Sequence, residues 1–394
     1  MIPYGRQDIS VEDIEAVTEV LRSDWLTQGQ AGPRFEQAMA AYCGSRNAIA
    51  VSNATAALHI ACLALDLGPG DILWTTPNTF VASANCALYC GAGVDFVDID
   101  PRTYNMSVSA LTEKLEIAAS KGRLPKIVVP VHFAGQSCEM REIRALADRY
   151  GFRIVEDASH AVGGEYLGRK VGSCDYGDTT IFSFHPVKII TTGEGGMALT
   201  NDSKLAGRLS YLRTHGIVRP AQQPGELQGE PRVNEERNGP WMYEQIELGL
   251  NYRMTDIQSA LGSSQLGRLD PFVARRRELA ARYDQLLAKL PVTCPWQHPD
   301  TNSAWHLYVI RLRRNEIKLS RRQVFDALRA AGIGVNVHYI PVHTQPYYRK
   351  LGFETGMFPE AESYYEDAIT LPLFSRMTND EQDTVVAALE KILA

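Results

Sequence analysis

This chain has no long hydrophobic run. Its most apolar stretch, Phe80 to Ile99, is broken by Asn85, Gly91, Gly93 and Asp95, whereas a membrane helix needs roughly 18 consecutive apolar residues. A spanning protein is not expected. The opening MIPYGRQDIS offers neither the apolar core nor the small-residue cleavage site of a secretory signal. Cysteine is sparse: Cys43, Cys62, Cys86, Cys90, Cys138, Cys174 and Cys294 are odd in number and scattered, which argues against a disulfide framework and fits a reducing cytoplasm. Charge of one sign is nowhere massed. With 40 Lys and Arg against 46 Asp and Glu, the chain lacks the basic surplus of a nucleic-acid scaffold or a polybasic membrane anchor, so small molecules are the expected ligands. Two phosphate-binding signatures are also missing. There is no G-x-G-x-x-G after the first expected strand and no G-x-x-x-x-G-K-[ST], which disfavours dinucleotide and nucleoside triphosphate chemistry. Nor is a metal set evident. Cys86 and Cys90 have helical i, i+4 spacing but no further ligand pair nearby, and a proline separates His338 from His343 on an extended segment.

What is present is an ordinary globular composition, 45% hydrophobic and 22% charged over 394 residues, long enough for a large domain with a smaller one. From Asn47 to Leu199, short β-rich runs alternate with helical ones. NAIAVS, DILWTT, VDFVDID, KIVVPVHF, FRIVED, TTIFSF and GMALT read as strands, several of them apolar throughout, as in a sheet covered on both faces. The fold class expected is α/β, a mainly parallel central sheet sandwiched by helices. Helices are predicted over Val11 to Arg22, from Asp202 to about Thr214, Thr255 to Leu266 and Phe272 to Leu290. The polar stretch 221–239 reads as a mobile loop. The rhythm changes after Pro291. AWHLYVIRL and GVNVHYI are predicted strands, and Arg321 to Ala331 and Glu381 to Leu393 helices. The division expected is 1–290 and 291–394, the second a small α+β domain.

Three positions combine into one chemistry. Lys188 sits between an apolar strand and the turn TTGEGG, where a partly desolvated amine can attack a carbonyl; alternatively it is a solvated loop lysine. Asp157 ends FRIVED at the carboxyl edge of the sheet, where ligands of open α/β folds bind. It could pair with a protonated pyridine nitrogen or cap a helix on DASHA. The neighbouring Glu156 should point away. Ser52-Asn53-Ala54-Thr55 joins a strand to a helix of small residues, a cradle for phosphate at a positive helix end. A phosphate cradle, a strand-end aspartate and a following lysine together point to pyridoxal 5'-phosphate much better than any one of them does. Phe80 could stack on a flat ring, although spacing alone favours core packing.

The stretches SDWLTQG, SNATAALHIACLAL, TTPNTFVASANCALYCGA, IVEDASHAVGG, FSFHPVKIITTGEGG, LGLNYRMTDIQSALG and VHYIPVHTQPYY resemble the sugar aminotransferases of the DegT/DnrJ/EryC1/StrS family over essentially the whole chain. The resemblance implies a fold-type I, pyridoxal phosphate-dependent transferase with residues 1–290 as the cofactor-binding domain. It implies that Lys188 carries the cofactor, Asp157 pairs with its ring nitrogen, and His160 lies near its phenolic oxygen. Ala54, Thr55, Ser183 and an Asn251 reaching over from a second subunit would hold the phosphate, and Phe80 would stack on the ring. Tyr4, Asp24, Trp25, Leu26, Thr27, His338 and Tyr339 match positions that face the nucleotide sugar. The partners implied are L-glutamate, a UDP-linked 4-ketosugar and a second copy of the chain. Leu250 departs from the pattern, where Tyr is expected. Members that have histidine in place of the lysine are dehydratases, and Lys188 argues against that branch. A noncatalytic sugar-binding protein on this scaffold would have no use for Lys188 paired with Asp157.

Overall fold

The computed structural model describes residues 1–219 and 241–394; the stretch 221–239 read as a loop lies outside the described residues. The central sheet has seven strands. In chain order they begin with β1 (Asn47–Val51), β2 (Ile72–Thr75), β3 (Gly93–Phe96), β4 (Ile127–Val129) and β5 (Arg153–Asp157). The strands Thr179–Ser183 and Gly196–Thr200 complete it. Across the sheet the order is β1, Gly196–Thr200, Thr179–Ser183, β5, β4, β2, β3. Only Gly196–Thr200 runs against its neighbours, so the sheet is mainly parallel, as its apolar strands predict.

Side chains alternate across the pleat, and both faces are buried. Val51, Leu73, Val129, Val155, Ile181 and Ala198 pack against α3 (Ala54–Ala64), α4 (Ala82–Tyr89) and Ser203–Leu212. On the opposite face Trp74, Val128 and Ile154 meet the helices Val108–Ser120 and Met140–Tyr150. Phe182, Met197 and Leu199 meet α2 (Ala31–Cys43), which follows α1 (Val11–Arg22). The strand ends carrying Val51, Asp157 and Ser183 and the start of the antiparallel strand at Gly196 share one edge, which builds the site.

The helix Leu269–Leu286 joins two cores. Leu269, Phe272 and Val273 pack toward the sheet, whereas Leu279, Ala280 and Tyr283 enter a separate cluster with Tyr308, Ile310, Ile369 and Val385. That cluster covers a three-stranded sheet of Val292–Thr293, Tyr308–Leu312 and Ala368–Leu371. Two expectations fail here. GVNVHYI is not a strand: it makes a single bridge, Asn336 to Thr370, and Ile333 just before it bridges Ile2, because the N-terminal segment and the last strand each claim one point of this stretch. The strand expected over AWHLYVIRL begins only at Tyr308, since the carbonyls of Trp305 and His306 bond to the buried Arg276 instead. Gly334 has no room for a side chain, with the Ile2 carbonyl 2.8 Å from where a Cβ would stand. That close passage leads the chain start to the site through Tyr4, whose carbonyl accepts from the Leu373 N–H at 3.1 Å.

Among the described residues no helix is long and apolar enough to cross a membrane. All seven cysteines are free, and the described residues contain no grouping able to hold a metal.

Candidate active site

At the shared edge lies a cavity of about 710 Å³. It gathers Tyr4, Ala54, Thr55, Phe80, Asp157, His160, Ser183, Lys188, His338 and Tyr339, all but five of the residues that the resemblance names. A larger open cleft of about 1030 Å³ between α2 and Ser203–Leu212 holds neither Lys188 nor Asp157.

The floor is a helix end. Asn53 caps α3, its side chain accepting from the Ala56 N–H at 2.8 Å, which leaves the N–H groups of Ala54 and Thr55 without intrahelical partners and available to an anion. Gly196 lets the neighbouring strand touch this turn: a Cβ there would come within 2.5 Å of the Ala54 nitrogen. Ser183 ends the adjacent strand and lines the cavity. These groups suit a phosphate.

Asp157 ends β5 and is 5% exposed. One carboxylate oxygen accepts from the Ser83 hydroxyl at 2.6 Å and the other from the Ser159 N–H at 3.1 Å. The second bond closes a short turn, and no helix follows for Asp157 to cap. Glu156 points to the other face, where it accepts from His132 Nε2 at 2.8 Å. Opposite Asp157, burial pushes the Lys188 amine down to about 8, against the raising field of the Asp157 carboxylate. An amine so placed is partly neutral near physiological pH and able to act as a nucleophile.

Three histidines surround the lysine. Burial, followed by the Lys188 charge, holds His160 well below its usual value and His338 at about 3. The same two causes, then His160 and Arg276, lower His306. All three are neutral imidazoles. The His160 Nδ1 accepts from the Ala134 N–H at 3.3 Å, so its Nε2 carries the proton and donates to the Tyr339 hydroxyl at 3.1 Å. The Tyr339 proton is then free for a ligand oxygen. Burial, with Asp157 and Tyr4, raises the Tyr339 phenol and keeps it protonated.

Phe80 lies outside the core that its spacing favours, 59% exposed at the cavity mouth and 6.4 Å from the Tyr339 ring. Asp24, Trp25, Leu26 and Thr27 do not reach this cavity. They form an exposed segment bridged at Thr27 to Thr255, with Trp25 61% exposed. Asn251 is likewise on the surface, paired through its backbone with Thr214, and it does not line the cavity of its own chain. Leu250 packs against the main core.

Sequence reading missed Thr79, Ser83, Glu194, Tyr252 and His306, which also line or back the cavity. His306 lies against His160 with ring centres 4.5 Å apart, and its Nδ1 has no partner among the described residues. Arg276 holds it from behind, donating to the carbonyls of Trp305, His306 and Leu373. Within AWHLYVIRL no spacing distinguishes this histidine from a strand residue.

The DegT/DnrJ/EryC1/StrS aminotransferase family model matches residues 7–390. The spore coat polysaccharide biosynthesis protein SpsC of Bacillus subtilis is 40% identical over 395 residues, covering 100% of this chain and 97% of its own length. Among solved structures, Helicobacter pylori PseC, an aminotransferase of pseudaminic acid biosynthesis, superposes with a TM-score of 0.88 at 30% identity, covering 100% of this chain and 99% of its own. Spr1654 of Streptococcus pneumoniae in its PLP form gives 0.85 at 28% identity and covers 100% of both chains.

Proposed function

Because this chain belongs to the DegT/DnrJ/EryC1/StrS aminotransferase family, whose members are pyridoxal phosphate-dependent enzymes acting on sugars, we propose that it moves an amino group from L-glutamate to C4 of UDP-2-acetamido-2,6-dideoxy-β-L-arabino-hex-4-ulose, a step toward pseudaminic acid. The likeness to PseC over the full length of both chains carries this choice of sugar.

The described cavity suits the cofactor. The free N–H groups of Ala54 and Thr55 and the Ser183 hydroxyl would take its phosphate, Asp157 its ring nitrogen, and Phe80 one ring face. Bound there, pyridoxal phosphate supplies an aldehyde that accepts an amino group and a ring that accepts electrons. Lys188 would hold the cofactor until glutamate displaces it. Its freed amine then takes the proton from glutamate Cα, and in the second half-reaction it delivers a proton to sugar C4. Asp157 would keep a proton on the ring nitrogen throughout. The Tyr339 hydroxyl, its orientation set by neutral His160, would donate to the cofactor's phenolic oxygen or to the sugar.

The ligands bring a phosphate, two carboxylates and a diphosphate, yet Lys188 is the only lysine or arginine among the described residues that line the cavity. Buried anions need cations or donors. We therefore read the site as shared in a homodimer, with Asn251 of each chain at the other's cofactor phosphate and the exposed Asp24 to Thr27 segment at the other's sugar.

The 40% identity to SpsC favours a second reading, amination of another nucleotide-linked ketosugar for polysaccharide synthesis. One assay separates them. The enzyme is given glutamate and either the L-arabino UDP-4-ketosugar, its D-xylo epimer or a dTDP-4-ketosugar, and amino sugar is followed by mass spectrometry. Turnover preferring the L-arabino substrate supports the proposal; preference for either alternative replaces it with the second reading.

A further inference from the structure

We infer that Thr79 and Ser83 form a hydroxyl relay that positions Asp157 as acceptor for the cofactor's ring nitrogen, an assignment that rests on the role read for Asp157 above. Direction in this relay follows from counting protons. The Asp157 carboxylate, 2.6 Å from Ser83 Oγ, accepts only, so the single Ser83 hydroxyl proton is committed to it. The Thr79 Oγ1, 2.8 Å from the Ser83 oxygen, must then donate to it. All three side chains are buried: Thr79 is 2%, Ser83 0% and Asp157 5% exposed. Water does not readily replace a lost partner there.

The relay is built on the turn that opens α4. Thr79 and Ser83 stand four residues apart with Phe80 between them, and the Ser83 N–H donates to the Phe80 carbonyl at 3.2 Å. The Ser83 carbonyl in turn accepts from the Cys86 thiol at 3.3 Å. One turn thus presents Phe80 to the cavity and holds the carboxylate in place. The other Asp157 oxygen accepts from the Ser159 N–H, so both bonds come from neutral donors. The ionisable groups whose fields couple to Asp157 are Lys188 and Tyr339, while Glu156 is turned toward His132. Asp157 therefore owes its orientation to the Ser83 hydroxyl and the Ser159 N–H rather than to an ion pair.

Loss of a hydrogen bond to a charged group changes a neighbouring proton equilibrium by about one pH unit. The test uses the holoenzyme and the pH midpoint of the bound cofactor's visible absorption. Asp157→Asn is the reference variant. The relay predicts that Ser83→Ala moves the midpoint in the same direction as Asp157→Asn by about one unit. Thr79→Val should move it less, and Thr79→Ser, which keeps the hydroxyl, should leave it in place. Thermal melting of the apoproteins checks that each variant is folded. If Asp157→Asn shifts the midpoint while folded Ser83→Ala matches wild type, the relay is wrong and the reading of Asp157 stands. If Asp157→Asn leaves the midpoint unmoved, both fall.

Discussion

Lys188 yields its proton more readily than an exposed lysine because burial strips water from the ammonium, and the Asp157 carboxylate only partly offsets that loss. The sign follows directly. The charged form dominates below about 8 and the neutral, nucleophilic form above it. Capture of pyridoxal phosphate by the apoprotein should therefore accelerate as pH rises from 6, reach half its limit near 8 and level off; stopped-flow absorbance would check it. A rate that falls over that range would contradict the assignment. Lys188 and Asp157 are legible as candidates in the sequence because one ends an apolar strand and the other follows one, both at the same sheet edge. Ser83 and Thr79 are not. A serine in a helix of small residues looks like any other until the fold brings Asp157 to it from another strand, and His306 reads as an ordinary member of an apolar run.

At the scale of elements, helices with local caps were legible and one with a borrowed cap was not. Val11–Arg22 begins with a capping box in which Ser10 and Asp13 exchange bonds, and its limits match the predicted ones. α2 has no side-chain cap of its own. The N–H groups of Gly29 and Ala31 donate instead to Asp256, at 3.0 and 3.1 Å, on the distant helix Asp256–Leu266. No pattern local to residues 28–34 encodes that partner. The first helix is fastened to the same distant element: fully buried Asp13 accepts from Ser264 and Gln265, each at 2.6 Å, and pairs with Arg268. Burial raises the Asp13 carboxyl, but these donors, with Ser10, outweigh it and hold the group below its ordinary range. Its stabilising effect is complete above the unfolded-chain value of about 3.9 and is lost as pH falls through the lower folded value. Asp13→Ala should cost about 1–3 kcal/mol through orphaned donors. Urea unfolding at pH 7 would measure that loss, and a variant with unchanged stability would show that the network contributes nothing.

At the scale of the whole molecule, the placement of Asn251 outside its own cavity sets up a test of the shared site. Lys188→Ala removes the amine, and on the proposed shared site Asn251→Glu would put a negative charge against the cofactor phosphate. In a two-fold dimer the contact is reciprocal. A mixed dimer then has one site with both lesions and one intact. Co-refolding equal amounts makes half the dimers mixed, so roughly a quarter of wild-type activity should return. If both residues serve one chain, no activity returns. Differential tags would verify mixing before glutamate-dependent amination is assayed.

The role proposed for Lys188 as carrier of the cofactor is open to a chemical test. The protein loaded with pyridoxal phosphate is reduced with borohydride, digested and mapped by mass. A single reduced cofactor adduct is expected, on the peptide containing Lys188. An adduct on Lys170 or Lys204 with Lys188 unmodified would contradict it.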